Sequence, residues 1–427
     1  MHISDPKAFL RSLFEVAVAA AHPARLIEAH LPERPKGRTI VIGAGKAGGA
    51  MAAAFEKEWL ARGNGPLSGL VVTSAGNAVH TSFIEVAESR HPVPDDRSVA
   101  AAERMLKTVS GLSKDDLVVA LISGGASSLL CLPHPSLTLE DKQAVNRVLL
   151  AGGVPIEEMN CIRKHLSAVK GGRLAAAAAP AKVLSLVISD IPGDNPALVG
   201  SGPTIPDGTT PEDARRIVSR YRLELPERAV ALLNSDACAA PSPDNSVFDN
   251  NEIRLIGAAQ LSLDAAAAEA RKSGLAVHIL SDAFEGEARD LGQVHAALAR
   301  QILLRNQPFT APALLLSGGE ATVTLRHKGG KGGRNSEFLL SFARHISGLP
   351  GLFSLAADTD GIDGSENNAG AFADGSSFDR MRAAGIDPAL CLERNDAYSA
   401  FEAVGDLLVT GPTGTNVNDF RAILIGA

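Results

Sequence analysis

The chain has 427 residues, a net charge of −7, 45% apolar and 21% charged residues, and 4% aromatics. That length exceeds one ordinary core and predicts two globular domains. The acidic balance, without a long basic run, argues against nucleic acid or an anionic membrane as partner, and so few aromatics argue against base stacking. Four isolated cysteines, at 131, 161, 238 and 391, argue against a disulfide framework or a structural zinc site and predict a reducing, cytoplasmic setting. No uncharged apolar stretch of about 20 residues is present, so no membrane span is expected.

Residues 1–32 predict an amphipathic helix followed by a second short one. Next, "TIVIGAGKAGGAMA" (39–52) reads as a strand, a glycine turn and a helix. Gly43, Gly45 and Gly48 fit the G-x-G-x-x-G fingerprint of a dinucleotide site. Lys46 does not belong to that fingerprint and favours a phosphate or carboxylate, unless it is a solvated lysine on a plain turn. The following strand, "SGLVVTSAG", ends in Thr73, Ser74 and Gly76, without the acid a ribose needs. After the strand "TSFIEVAES" and a helix over 98–109 comes "DLVVALISGGASSLL". Here Ser123, Gly124, Gly125 and Ser127 are expected to offer donors to anionic oxygens.

A helix is predicted over 138–152, and another over "RKHLSAVKGGRLAAAAA" (163–179). The latter would carry Arg163, Lys164, Lys170 and Arg173 as a solvated basic face or as a steering surface for an anion. The strand "KVLSLVISD" ends at Asp190, a candidate base or Mg²⁺ ligand. A loop stiffened by Pro192, Pro196, Pro203 and Pro206 follows, with Asp194 as a turn cap. Strand and helix alternate throughout, which predicts an α/β architecture with a largely parallel first sheet. The aperiodic stretch 236–251 is the linker candidate, dividing the chain into 1–240 and a second α/β domain over 241–427.

In that second half "LLLSGGEATVTL" repeats the pattern of a strand running into a polar glycine turn, at Ser317, Gly318 and Gly319, through duplication or convergence. Glu320 follows as a cap or as a metal or substrate acid. "HKGGKGGRNSEFLL" (327–340) runs a glycine-rich loop with Lys331 and Gly333 into a helix opening at Arg334 and Asn335, which suits a polyphosphate. Asp358, Asp360 and Asp363 crowd the next turn. Ala369 stands where a calcium loop needs its twelfth-position Glu, so a Mg²⁺-associated turn is expected instead. "TGPTGTNVND" (410–419) supplies Thr413, Asn416 and Asn418 as polar readers. No P-loop, nucleophile elbow or protein-kinase signature set occurs.

Taken in order, "VIGAGKAGGAMA", "LISGGASSLL", "RKHLSAVKGGRLA", "VISDIPGDNPALVGSGPT", "LSGGEATVT", "GGKGGRNSE", "AADTDGIDG" and "TGPTGTNVND" resemble the class II glycerate 2-kinase, or MOFRL, family. Its members often carry a hydroxypyruvate reductase label, and the likeness covers most of the chain. Ser336 stands where the resemblance leads one to expect Gln. The resemblance implies two α/β/α-type domains, the first Rossmann-like, with the active site in the cleft between them. It also implies ATP, Mg²⁺ and transfer of phosphate to the 2-hydroxyl of D-glycerate, giving 2-phosphoglycerate. Lys46 and Arg334 are then expected to bind anionic oxygens and Asp190 to act as base or metal ligand. Glu320 and Asp358 would hold Mg²⁺ or orient substrate. Gly45, Ser123, Gly124, Gly125, Ser127, Gly318, Gly319, Lys331, Gly333, Asn335, Thr413 and Asn416 would line the substrate and nucleotide sites. The alternatives are an NAD(P)H-dependent hydroxypyruvate reductase, for which His91 and His165 show no evident acid partner, and a non-catalytic sugar-acid binding protein. A homodimer is among the oligomeric states left open.

Overall fold

The computed structural model describes residues 3–191, 193–325, 327 and 329–426, so Pro192 lies outside the described residues. Apolar runs of six or seven residues form β1 (Thr39–Ala44), β2 (Ser68–Ser74), β3 (Ile84–Ser89), β4 (Leu117–Ile122) and β5 (Lys182–Ile188). A sixth strand, β6 (Glu252–Gly257), completes a sheet of order β3-β2-β1-β4-β5-β6. The pairings β3·β2, β2·β1, β1·β4 and β4·β5 are all parallel. Every position of β1 and β4 is buried, which is why these strands read as unbroken apolar runs. Strand order reverses at β1 and β4, the switch point where ligand loops gather in such sheets.

The second sheet contains β7 (Ala276–Glu287), β8 (Ala313–Thr322), β9 (Leu352–Asp358), β10 (Gly370–Asp374), β11 (Leu407–Leu408) and β12 (Asp419–Ile425), in the order β11-β10-β9-β12-β8-β7. Only β7·β8 is parallel; β8·β12, β12·β9, β9·β10 and β10·β11 are antiparallel.

By contacts the chain forms two compact units. One holds residues 23–189 and 194–256; the other holds the described residues of 1–22, 190–193 and 257–427. The 236–251 stretch is no free tether. Short helical turns at Asp236–Cys238 and Ser246–Phe248 order it, and the buried Cys238 carbonyl takes hydrogen bonds from His165 Nδ1 (3.0 Å) and Arg173 (2.7 Å). The helix Pro6–Ala20 starts at Asp5, whose carboxylate accepts the Ala8 amide. Its stripe of Leu10, Leu13, Phe14 and Ala17 is fully buried with Leu263, Leu314 and Phe420 in the core of the second unit.

Two expectations fail locally. The 163–179 segment is not one helix: a helix ends at His165, another begins at Arg173, and Gly171–Gly172 turn between them. Ser317-Gly318-Gly319 is not a turn but the interior of β8. There β7 carries irregularities between Ile279 and Phe284, and Gly319 passes so close to the Phe284 backbone that a Cβ would lie 2.2 Å from its carbonyl.

Candidate functional site

In the first unit the register Ala44↔Ile122 brings the loops after β1 and β4 out side by side. Ser123 clasps them together. Its buried hydroxyl accepts the Ala47 amide (3.2 Å), the Gly124 carbonyl accepts the Lys46 amide (2.8 Å), and the Ala44 carbonyl accepts the Ser123 amide (3.1 Å). Gly45 has φ 145°, and a Cβ there would lie 2.0 Å from Ser123 Oγ, so only glycine fits. The amides of Lys46 and Ala47 are thus spent inside the protein. The half-buried Lys46 side chain passes Gly125: a Cβ on that glycine would meet Lys46 Cγ at 3.3 Å and the His91 ring at 3.1 Å. Beyond β2, Ser74 accepts from Asn77, and no acid stands at that strand's end. Glu88, near the end of β3, accepts the amides of Gly76 and Ala78.

The cations of 163–173 face inward, which corrects the expected basic surface. Lys164 is fully buried and ion-paired with Asp207. Arg173 donates to the carbonyls of Lys164, Lys170 and Cys238. Lys170 donates to the Ser127 carbonyl (2.7 Å), Ser127 Oγ (3.0 Å) and the Gly200 carbonyl (3.3 Å). Burial is the main force on its ammonium, and repulsion by Lys142, Arg163 and Lys164 adds to it, against an opposing contribution from Cys131; its pKa falls to about 7. Burial likewise lowers Lys142 and Lys164 to about 8.

In the second unit Arg334 opens the helix Arg334–Ile346 and collects three carboxylates: Asp419 (2.6 Å), Asp358 (2.7 Å) and Glu320 (3.0 Å). The register Asp419↔Asp358 sets the last residue of β9 beside the first of β12, so two of the three meet by strand pairing alone. Burial opposes the Arg334 charge, but Asp419, Asp358 and Glu320 outweigh it and hold its pKa well above the usual value. Asp419 is the hub: it also accepts from Asn335 (2.8 Å), the Ala321 amide (3.1 Å) and fully buried Arg421. Burial pushes the Asp419 pKa up, yet the Arg334 and Arg421 charges prevail and lower it. The three carboxylates against two guanidiniums leave one net negative charge.

The helix N-terminus is occupied from within. Asp363, fully buried, accepts the amides of Asn335 (2.9 Å) and Ser336 (2.8 Å) and the Ser336 hydroxyl (2.6 Å). Ser336 Oγ also accepts the Gly333 amide (3.1 Å), which gives the residue expected as Gln a capping role. Gly333 packs on Asp363, where a Cβ would sit 2.4 Å from its carbonyl carbon. The expected polyphosphate donors at this helix start are therefore engaged. Lys331 is exposed and lies over the Tyr398 ring, 5.9 Å from its centre.

Thr413 and Asn416 belong to a loop pinned to the Asp358–Gly361 turn. The Thr413 amide donates to the Asp360 carbonyl (3.1 Å), and Thr359 Oγ1 donates to the Asn418 carbonyl (2.7 Å) while accepting the Val417 amide (2.9 Å). Asn416 is buried and accepts the Asn418 amide (3.3 Å). The Gly318 carbonyl accepts from Arg421 (2.9 Å). Asp190 is half-buried, and its carbonyl accepts from Asn418. Of the expected metal set, Glu320 and Asp358 meet on Arg334. Among the described residues no group of three or more His, Cys, Asp or Glu is arranged to hold a metal ion. Sequence reasoning missed Asp419 and Arg421; the signal was an Asp-x-Arg alternation in an otherwise apolar strand, which places both charges on one buried face.

Residues 9–234 match the family described as a domain of unknown function, DUF4147, and residues 313–419 match the MOFRL family. The chain belongs to this DUF4147–MOFRL family. A D-glycerate 2-kinase of Thermotoga maritima is 38% identical over 99% of this chain and 99% of its own length. An Agrobacterium vitis protein carrying a hydroxypyruvate reductase label is 53% identical over 98% of this chain and 94% of its own length. A crystal structure of glycerate kinase from Thermotoga maritima superposes with a TM-score of 0.86 at 36% identity, covering 98% of this chain and 99% of that one. No described helix is long and apolar enough to cross a membrane.

Proposed function

We propose that the protein is an ATP-dependent glycerate kinase that phosphorylates D-glycerate at its 2-hydroxyl. Full-length similarity to a D-glycerate 2-kinase supports the activity. One observation weighs against the reductase reading: the glycine loop after β1 spends the Lys46 and Ala47 amides on Gly124 and Ser123. A dinucleotide pyrophosphate needs such amides open, and it also needs a ribose acid that β2 lacks.

In this reading Lys46, at the sheet's switch point, attracts the anionic oxygens of substrate or of the phosphoryl group in flight. A fixed cation there stabilises charge that spreads over the transition state. Asp190, two residues beyond β5, is the base for the substrate hydroxyl. Arg334 acts differently from the expected anion binder. Three carboxylates already neutralise it, so its role is to hold Glu320 and Asp358 in place. Those two acids would hold Mg²⁺ together with nucleotide phosphates. The net negative charge of the cluster and the Glu320 side chain, 47% exposed, fit a cation that takes one or two carboxylates and keeps phosphate and water ligands. When bound, Mg²⁺ neutralises phosphate charge. Lys331 covers the nucleotide.

Purified protein supplied with D-glycerate, ATP and Mg²⁺ should form ADP, and hydroxypyruvate with NADH or NADPH should give no absorbance loss. The reverse pattern selects the reductase, and silence in both selects a binding protein. NMR of the product should place phosphate on the 2-hydroxyl.

A further inference from the structure

Inside the first unit four polar side chains form one line of hydrogen bonds. Lys170, 2% exposed, gives its three ammonium hydrogens to the Ser127 carbonyl, Ser127 Oγ and the Gly200 carbonyl. Ser127 Oγ lies 3.0 Å from Ser201 Oγ, and Ser201 Oγ donates to Asn160 Oδ1 at 3.0 Å. Ser201 is fully buried and Asn160 nearly so, and Ser201 has a single hydroxyl hydrogen, already given to Asn160. The contact between the two hydroxyls therefore runs from Ser127 to Ser201. This accounts for the Ser127 hydrogen and, through Lys170, for one of its two lone pairs. What half-buried Ser127 retains is one lone pair: toward a ligand it is an acceptor and not a donor.

We propose that Ser127 accepts a hydrogen bond from a substrate hydroxyl and thereby selects hydroxylated acids, rather than donating to phosphate or carboxylate oxygens. This rests on the functional reading above, with Ser127 facing substrate from the segment after β4, two residues beyond the Gly125 that the Lys46 side chain passes. The hydroxyl concerned is the one that is not phosphorylated. The reacting hydroxyl must surrender its proton to a base, and Ser127 already carries its own hydrogen. Lys170, Ser201 and Asn160 are positioning residues that fix this polarity.

Calorimetric binding of D-glycerate and of D-lactate, which lacks only the 3-hydroxyl, tests the proposal on the full chain. The native protein should bind D-glycerate at least about tenfold more tightly, since a site built around a hydroxyl rejects the analogue without it. Ser127→Ala should cut that preference to about threefold or less by weakening glycerate alone, with the KM for ATP unchanged. Ser127→Thr should restore most of it. Equal weakening of both acids by Ser127→Ala, or a raised KM for ATP, overturns the proposal alone. Binding of neither acid by the native protein overturns the functional reading, and the proposal with it.

Discussion

Ser-Gly-Gly follows an apolar run in both units, and the two occurrences serve different ends. At 123–125 the triplet leaves β4, clasps the glycine loop after β1, and leads into a short helix. At 317–319 it stays within β8, where Ser317 bonds His295 (3.1 Å) and the Gly318 carbonyl receives Arg421. The surroundings differ in sign as well. Behind the first triplet, buried lysines and arginines rest mostly on backbone carbonyls. Around the second, buried carboxylates rest on guanidiniums and amides. A short motif thus fixes neither the backbone path, which turns at Gly125 and stays extended within β8, nor the electrostatics, which come from residues far away in sequence.

Breaking the acidic side should have the largest effect. Asp419→Ala leaves Arg421 buried without its carboxylate and unties Arg334 and Asn335. A loss of about 3–5 kcal/mol is expected on removing one partner of a buried pair, visible as a lower urea midpoint. A native-like midpoint would mean that Arg421 finds water or another acid.

Lys46→Ala tests the cationic side. Catalytic efficiency toward glycerate should fall by about 10²–10³, the usual cost of removing one transition-state contact, with the unfolding midpoint nearly unchanged. A variant equal to the native enzyme in glycerate-dependent ATP turnover would move the site elsewhere.

The contrast in sign should also appear in pH dependence. The folded pKa of Lys170, about 7, lies below its ordinary 10.5, so between these values the unfolded chain binds more protons. Stability conferred by the first unit should therefore rise as pH increases from about 7, by on the order of 1 kcal/mol per pH unit for one such group. Lys142 and Lys164 join the rise above about 8. Lys170→Met should flatten the slope measured by denaturant titration between about pH 6.5 and 8.5; an unchanged slope would show that Lys170 does not carry it. Burial raises the Asp363 pKa, with the opposite sign: its contribution declines as pH rises from the unfolded value toward the folded one.

The smallest effect belongs to Lys331→Ala. An exposed cation over an aromatic ring contributes about 0.5–1 kcal/mol, so folding should barely change. The KM for ATP should rise several-fold, and an unaltered KM would remove Lys331 from the nucleotide site.

Much of the fold was legible because buried parallel strands leave unbroken apolar runs and helix caps leave local signatures. The helix expected over 138–152 is found at Leu139–Ala151, where Thr138 and Asp141 close a capping box. The loops carrying Lys46, Ser123 and Arg334 were legible for the same local reason. What each loop touches was not. That Asp363 fills the helix start at Arg334, or that Lys170 turns inward, depends on partners brought together by sheet register and by burial. Nor did composition reveal that β6 joins the first sheet, because an edge strand with Glu252, Ile253, Arg254 and Leu255 alternates and lacks an apolar run.

The helix Pro6–Ala20 has a consequence for biosynthesis. Its apolar stripe finds its core only among residues from 257 onward, including Phe420, whose ring meets Phe14 edge-on at 5.9 Å. A ribosome completes residues 23–256 while that stripe still lacks its partners. The emerging chain must therefore carry an unburied Leu10–Leu13–Phe14 face through most of translation, a segment open to chaperones or to wrong pairing until the last strand is released.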